Sequence, residues 1–246
     1  MRTWCKLAAM LTALLLVVVA LFSTSSNVSA AGEGKITGTV KLNGTPPHAK
    51  TIDMSKDPVC QKAHASEPAK VESVVASPNG GLQNVVIYIS EGYSGAATVS
   101  TNPVTIDQHG CMYVPHVVAL DVNEPMKVTN SDQTTHNIHP LPAPGSGNQG
   151  WNKSQPPGSP PFEVTWKAQE VAIPVKCNIH PWMHGFIAVV KGPYGTSDNS
   201  GSYTVDNVPP GNYTLTAWQE ELGTQTAKVT VAAGKPATAD FTFKAK

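Results

Sequence analysis

The stretch VAIPVKCNIHPWMHGFIAVV, residues 171–190, decides how this chain is read. Both of its flanks are apolar and rich in β-branched residues, which suits strands. Between them Cys177, His180 and Met183 follow at intervals of three, with Pro181 stiffening the turn directly after the histidine. The stretch therefore reads as strand, tight loop, strand, with a thiol, an imidazole and a thioether gathered on the loop. That donor set is soft, and softness selects copper over magnesium or calcium. An electron-transfer copper site needs one thiolate, two imidazoles and a weak axial thioether, so one histidine is missing from the loop. NSDQTTHNIHP (130–140) offers His136 and His139 for that place, just beyond the strand-like EPMKVTN (124–130).

Outward from this loop the pattern stays β. KITGTVKL (35–42) alternates before Asn43-Gly44, and NVVIYIS (84–90) follows Pro78-Asn79-Gly80-Gly81. ATVSTNPVTID (97–107), MYVPHVVALDV (112–122), FEVTW (162–166) and GSYTVDNV (201–208) continue the series. Strands at this spacing, separated by turn residues, predict an all-β sandwich architecture. No amphipathic helix is expected. The Pro- and Gly-rich run 139–162 is expected to be irregular, and its start beside two histidines favours a functional role. GPYGTSDNS (192–200) reads as a linker between domains.

The N-terminus has its own logic. Arg2 and Lys6 precede an apolar run, Leu7–Phe22, and the small residues Val28-Ser29-Ala30 follow. This is the layout of a signal peptide over 1–30, and the run is shorter than the roughly 20 residues that span a bilayer. A periplasmic or secreted location, with no membrane insertion after cleavage, follows as an expectation. Basic clusters are lacking, which speaks against nucleic acid as a partner. In an oxidising compartment thiols tend to pair. Three cysteines lie beyond residue 30, an odd number, so one is free or otherwise occupied. With Cys177 assigned to a metal, Cys60 and Cys111 are expected to form a disulfide; two buried free thiols are the alternative.

Two resemblances sharpen these expectations. HNIH (136–139) and CNIHPWM (177–183) resemble the two ligand segments of cupredoxins, the small blue copper proteins, and most of all the short-loop amicyanin- and plastocyanin-like members. The likeness covers roughly 98–191. It implies a cupredoxin Greek-key β-sandwich over 96–192 and one type 1 copper ion. By the same resemblance His136, Cys177, His180 and Met183 are the ligands, Asn137 braces the ligand loop, and the imidazole edge of His180 is the exit for electrons. GSY (201–203), VPPGNYTL (208–215) and the last two strands resemble carboxypeptidase regulatory-like, transthyretin-like sandwiches. That second, smaller Ig-like sandwich spans 193–246. Its residues are few for an independent core, and 33–95 is expected to complete it, with the copper domain inserted between.

The expected function is that of an exported carrier of single electrons rather than an enzyme. Its partner is expected to be a redox protein such as a c-type cytochrome or a periplasmic dehydrogenase. Near-zero net charge favours apolar docking over strong steering. The rivals are a cell-envelope binding module with a secondary copper site, and copper storage or delivery. A Cys177–His180 nucleophilic pair is disfavoured because such pairs come from distant segments. Zinc is disfavoured by the methionine. Cys60 with His64, and Cys111 with His109 and His116, match no ligand spacing. His184 is set aside as an axial ligand because it points away from the Met183 side of its strand.

Overall fold

A computed structural model describes residues 33–95 and 103–246. The signal peptide expected over 1–30 and the first part of the strand expected at 97–107 lie outside the described residues. In chain order the strands are β1 (Gly34–Asn43), β2 (Val86–Glu91), β3 (Val104–His109), β4 (Met112–Val114), β5 (Val117–Asp121), β6 (Pro125–Asn130), β7 (His136–Pro140), β8 (Lys153–Gln155) and β9 (Phe162–Thr165). They continue with β10 (Glu170–Lys176), β11 (His184–Val190), β12 (Tyr194–Thr196), β13 (Ser202–Val208), β14 (Gly211–Gln219), β15 (Gly223–Val231), β16 (Pro236–Thr238) and β17 (Phe241–Lys244). One helix, α1 (Pro58–Ala63), stands between β1 and β2. The architecture is all-β.

Among the described residues, four sheets form two sandwiches. In the first, β1 lies between β13 and the parallel pair β16 and β17, and the facing sheet runs β12-β2-β14-β15. Ile36, Val40, Ile87, Leu215 and Phe243 fill the space between them. In the second, the sheet β5-β11-β10-β7-β8 faces β4-β3-β6-β9. Ile106, Leu120, Val128, Ile173 and Ile187 fill that core, and Cys177 and Met183 belong to it.

A third apolar layer joins the sandwiches. Side chains of a strand point alternately to its two faces. On β2, Ile87 and Ile89 enter the first core while Val86 turns toward Trp218 in the joining layer. On β5 and β11, Val118, Leu120, Ile187 and Val189 enter the second core, whereas Val117, Ala119, Ala188 and Val190 enter the joining layer. Burial on both faces explains why VVIYI, VVAL and FIAVV are continuously apolar where one-faced strands alternate.

Three expectations need correction. Residues 192–200 are not a bare linker: β12 pairs antiparallel with β2 through Gly195 and Ile87. The run 139–162 is not wholly irregular, because β8 pairs with β7, Asn137 opposite Ser154. Its remaining turns are pinned by Asn148, which donates to Ala168 O at 2.9 Å and accepts from Lys167 N at 3.0 Å. The third correction is α1, which has only six residues and so no periodic signal. Its start follows capping rules: Asp57 accepts from the N–H groups of Val59 and Cys60, and Pro58 occupies the first turn.

Candidate metal centre

The site lies where β7 begins and where the loop joining β10 to β11 turns. Strands β7 and β10 are antiparallel, with Lys176 opposite His139. Continuing that register past β10 carries residues 177–180 alongside His136. The ladder is extended there by a side chain, since Asn178 N donates to Asn137 Oδ1 at 2.7 Å. Asn137 is itself held, donating to Asn152 Oδ1 at 2.7 Å, while its carbonyl accepts from the Tyr113 hydroxyl at 2.6 Å. Two backbone bonds close the loop: Cys177 N to Met183 O and Met183 N to His180 O, each 3.0 Å. Pro181 sits exposed on the turn between them.

Inside this frame His136 Nδ1 and His180 Nδ1 face each other at 2.9 Å, and Cys177 Sγ is 3.8 Å from His180 Nδ1. Cys177, His136 and His180 each offer a ligand atom, all within 4.8 Å of one another. All three residues are buried, and Met183 is buried completely against the same core. The sulfur also receives the His180 N–H at 3.5 Å. Of the other histidines, His139 turns aside to Asn178 Oδ1 at 3.1 Å, and His184 packs edge-on against His116.

Each imidazole is backed by a carboxylate. Asp132 Oδ2 lies 2.8 Å from His136 Nε2, and Asp57 Oδ2 lies 3.1 Å from His180 Nε2. With each Nε2–H donated outward, both Nδ1 lone pairs point into the pocket toward one another and toward the sulfur. Facing acceptors at this distance require a proton or a cation between them, so the residues present fit a soft ion. In the metal-free protein a proton serves. Burial acts to lower the His136 pKa, but Asp132 and Cys177 outweigh it and hold it at about 9. Burial likewise raises Cys177, yet the bond to His136 and the surrounding backbone bring the thiol down to about 6.

The carboxylates were not evident from the sequence. Asp132 is placed by the N–H groups of Gly110 and Cys111, at 2.8 and 2.7 Å. Asp57 is the helix cap described above and also accepts from Thr134 Oγ1 at 3.2 Å. The Cys60–Cys111 disulfide is formed, so the bridge joins the two backbone segments that hold the two carboxylates. Cys111 and Cys60 are therefore not metal ligands. A His-Asp pair four residues apart at 132 and 136 was the one local signal that pointed to Asp132.

The imidazole edge of His180, which the resemblance makes the exit for electrons, is covered here. His180 is 2% exposed. Asp57 closes its Nε2 side, and Trp182 lies 5.1 Å away, centroid to centroid, while donating to Cys111 O at 3.2 Å. The cover comes from the segment that carries Met54 and Cys60, which packs with Met112 and Trp182 in a small cluster of its own.

Residues 189–244 match the family model of the carboxypeptidase regulatory-like domain. No curated protein matches the chain. Among solved structures the chain is similar to a purple cupredoxin from Nitrosopumilus maritimus, at 23% identity over 35% of this chain and 99% of that one, with a TM-score of 0.30. It is also similar to an oxidised amicyanin variant, at 18% identity over 42% and 98% of the two chains, TM-score 0.32. A third is the copper-containing nitrite reductase from Thermus scotoductus SA-01, at 20% identity and a TM-score of 0.33, where the match covers 41% of this chain and 25% of the reductase.

Proposed function

We propose that the chain is an exported mononuclear type 1 copper protein that carries single electrons and is not itself an enzyme. The observation that carries this reading is the convergence of His136 Nδ1, His180 Nδ1 and Cys177 Sγ in one buried pocket, with both outer nitrogens already engaged by carboxylates. His136, Cys177, His180 and Met183 would hold the ion. A bound copper ion would supply one-electron chemistry, alternating between its cuprous and cupric states.

The chain's own part is to orient and to exclude water. Asp132 and Asp57 fix the tautomers and orientation of the two imidazoles. Asn137 locks Asn178 and so the cysteine beside it. Held donors of this kind change little between two charge states, which keeps reorganisation small. Apolar Ile179, 50% exposed, flanks the covered histidine together with Pro181 and offers an uncharged rim for a redox partner such as a c-type cytochrome or a periplasmic dehydrogenase.

The copper-reconstituted protein should show an intense visible thiolate-to-copper charge-transfer band and the electron spin resonance spectrum of a type 1 centre. Cys177→Ser should abolish both; a variant that stays coloured contradicts the assignment. The closure over His180 favours a second reading, copper storage or delivery. A colourless protein that still binds one copper ion selects it.

A further inference from the structure

A second group of titratable side chains lies where the sandwiches join, away from the copper pocket. His116, between β4 and β5, and His184, which opens β11, come from one sandwich. Glu72, ahead of β2, and Glu220, in the turn between β14 and β15, come from the other. We propose that His116, His184 and Glu220, with Glu72 facing the other nitrogen of His116, form a second metal site for a borderline divalent cation of the zinc(II) type.

The placement is built into the backbone. Phe186 N donates to His116 O at 2.9 Å. That approach needs glycine at 185, because a Cβ there would stand 2.6 Å from His116 O. The rings of His116 and His184 consequently meet edge to face, with centroids 5.4 Å apart. One ligand atom from each of His116, His184 and Glu220 falls within 4.8 Å of the others. Ligand atoms around a tetrahedral zinc ion stand roughly 3.4 Å apart, so small side-chain rotations suffice.

The polar contacts of this group call for positive charge. His116 Nε2 lies 2.6 Å from Glu220 Oε2, and the two side chains are 2% and 5% exposed. His116 Nδ1 is buried and makes no hydrogen bond. What it faces is Glu72 Oε2 at 3.8 Å, too far for one. A neutral imidazole has one N–H to give. With that proton on Nδ1, toward Glu72, the Nε2 lone pair confronts the buried Glu220 carboxylate at 2.6 Å, and a buried arrangement of that kind calls for a cation. His184 is prepared in the same sense: its Nδ1 sits 3.0 Å from Trp182 O, and donation there leaves the Nε2 lone pair free. Imidazole and carboxylate together suit zinc; all-oxygen shells suit magnesium and calcium, and the absence of thiolate disfavours cuprous copper. An ion held here would clamp one sandwich to the other.

The test uses the full chain carrying Cys177→Ser, so that the thiolate of the copper pocket is gone. Equilibrium dialysis against zinc(II) should give one bound ion per chain and a raised Tm. Glu220→Gln and His184→Gln in that background keep size and polarity, and each should weaken zinc binding roughly tenfold or more. Thermal melts without zinc report whether each variant folds. A folded parent that takes up no zinc overturns the proposal. Zinc retained with unchanged affinity by either folded variant places the ion elsewhere and overturns it as well. The result is independent of whether the other pocket binds copper.

Discussion

Asp57 and His180 stand 123 residues apart in sequence, and their Oδ2 and Nε2 atoms stand 3.1 Å apart in the fold. The same relation recurs between Asp132 and His136. Each carboxylate also accepts a backbone N–H of a bridged cysteine, Cys60 for Asp57 and Cys111 for Asp132. The disulfide thus reaches both imidazoles through one carboxylate each.

Asp57→Asn removes a negative charge behind His180 and keeps a hydrogen-bonding side chain. Loss of that charge disfavours the more highly charged cupric state. Copper affinity should fall roughly 10–100-fold, more for cupric than cuprous ion, and the reduction potential should rise. A redox titration followed by visible absorbance checks this; an unchanged potential refutes it.

Metal uptake should release protons. In the metal-free protein His136 holds its proton up to about 9, while Cys177 loses its own above about 6. Ligation needs both protons off. Between those values only the His136 proton stands in the way, so apparent affinity should climb roughly tenfold per pH unit as pH rises. Below about 6 the slope should steepen as the thiol also competes. Competition titrations across this range, with proton release measured in weak buffer, provide the check. A flat profile contradicts the pairing of the two groups.

Replacing Cys60 and Cys111 together by serine opens a loop closed over a sequence separation of 51 residues. The chain-entropy cost is about 4 kcal/mol, or about 10 °C in Tm for a chain of this size. Because the bridge also holds the cover in place, copper exchange should speed up in the same variant. Faster exchange is read by transfer to a chelator. An exchange rate equal to the parent's would mean that the cover stays down without the bridge.

We propose that residues 96–192 fold as a unit inserted into the sandwich made by 33–95 and 193–246. Expressed alone, the insert keeps its own core but bares Val117, Ala119, Ala188 and Val190. It should melt cooperatively, and it should self-associate through that apolar face. A product without cooperative melting counts against the nested arrangement.

The β content and the tight loop that carries Cys177, His180 and Met183 were legible because they rest on local signals: β-branched runs and turn residues. The bridge between Cys60 and Cys111 was legible from compartment and parity. The carboxylates were not, because Asp57 meets His180 only through tertiary packing and nothing near residue 57 announces it. The helix α1 could have been found from Asp57-Pro58, a capping residue ahead of a first-turn proline. β12 and β8 were missed because three residues carry too little pattern. The joining layer was hidden for a different reason: an apolar run says that both faces are buried, but not what buries the second one.

If the pocket takes copper as proposed, the roof over His180 would set an order of events. With Cys60 and Cys111 still thiols, the strip bearing Asp57 would keep its hydrogen bonds to Thr134 and His180 but lose its covalent tie, and an incoming ion would meet a looser cover. Once the two sulfurs join, the same ion would have to wait for the strip to lift. A chain that oxidises first would then fill more slowly than one that meets its metal first.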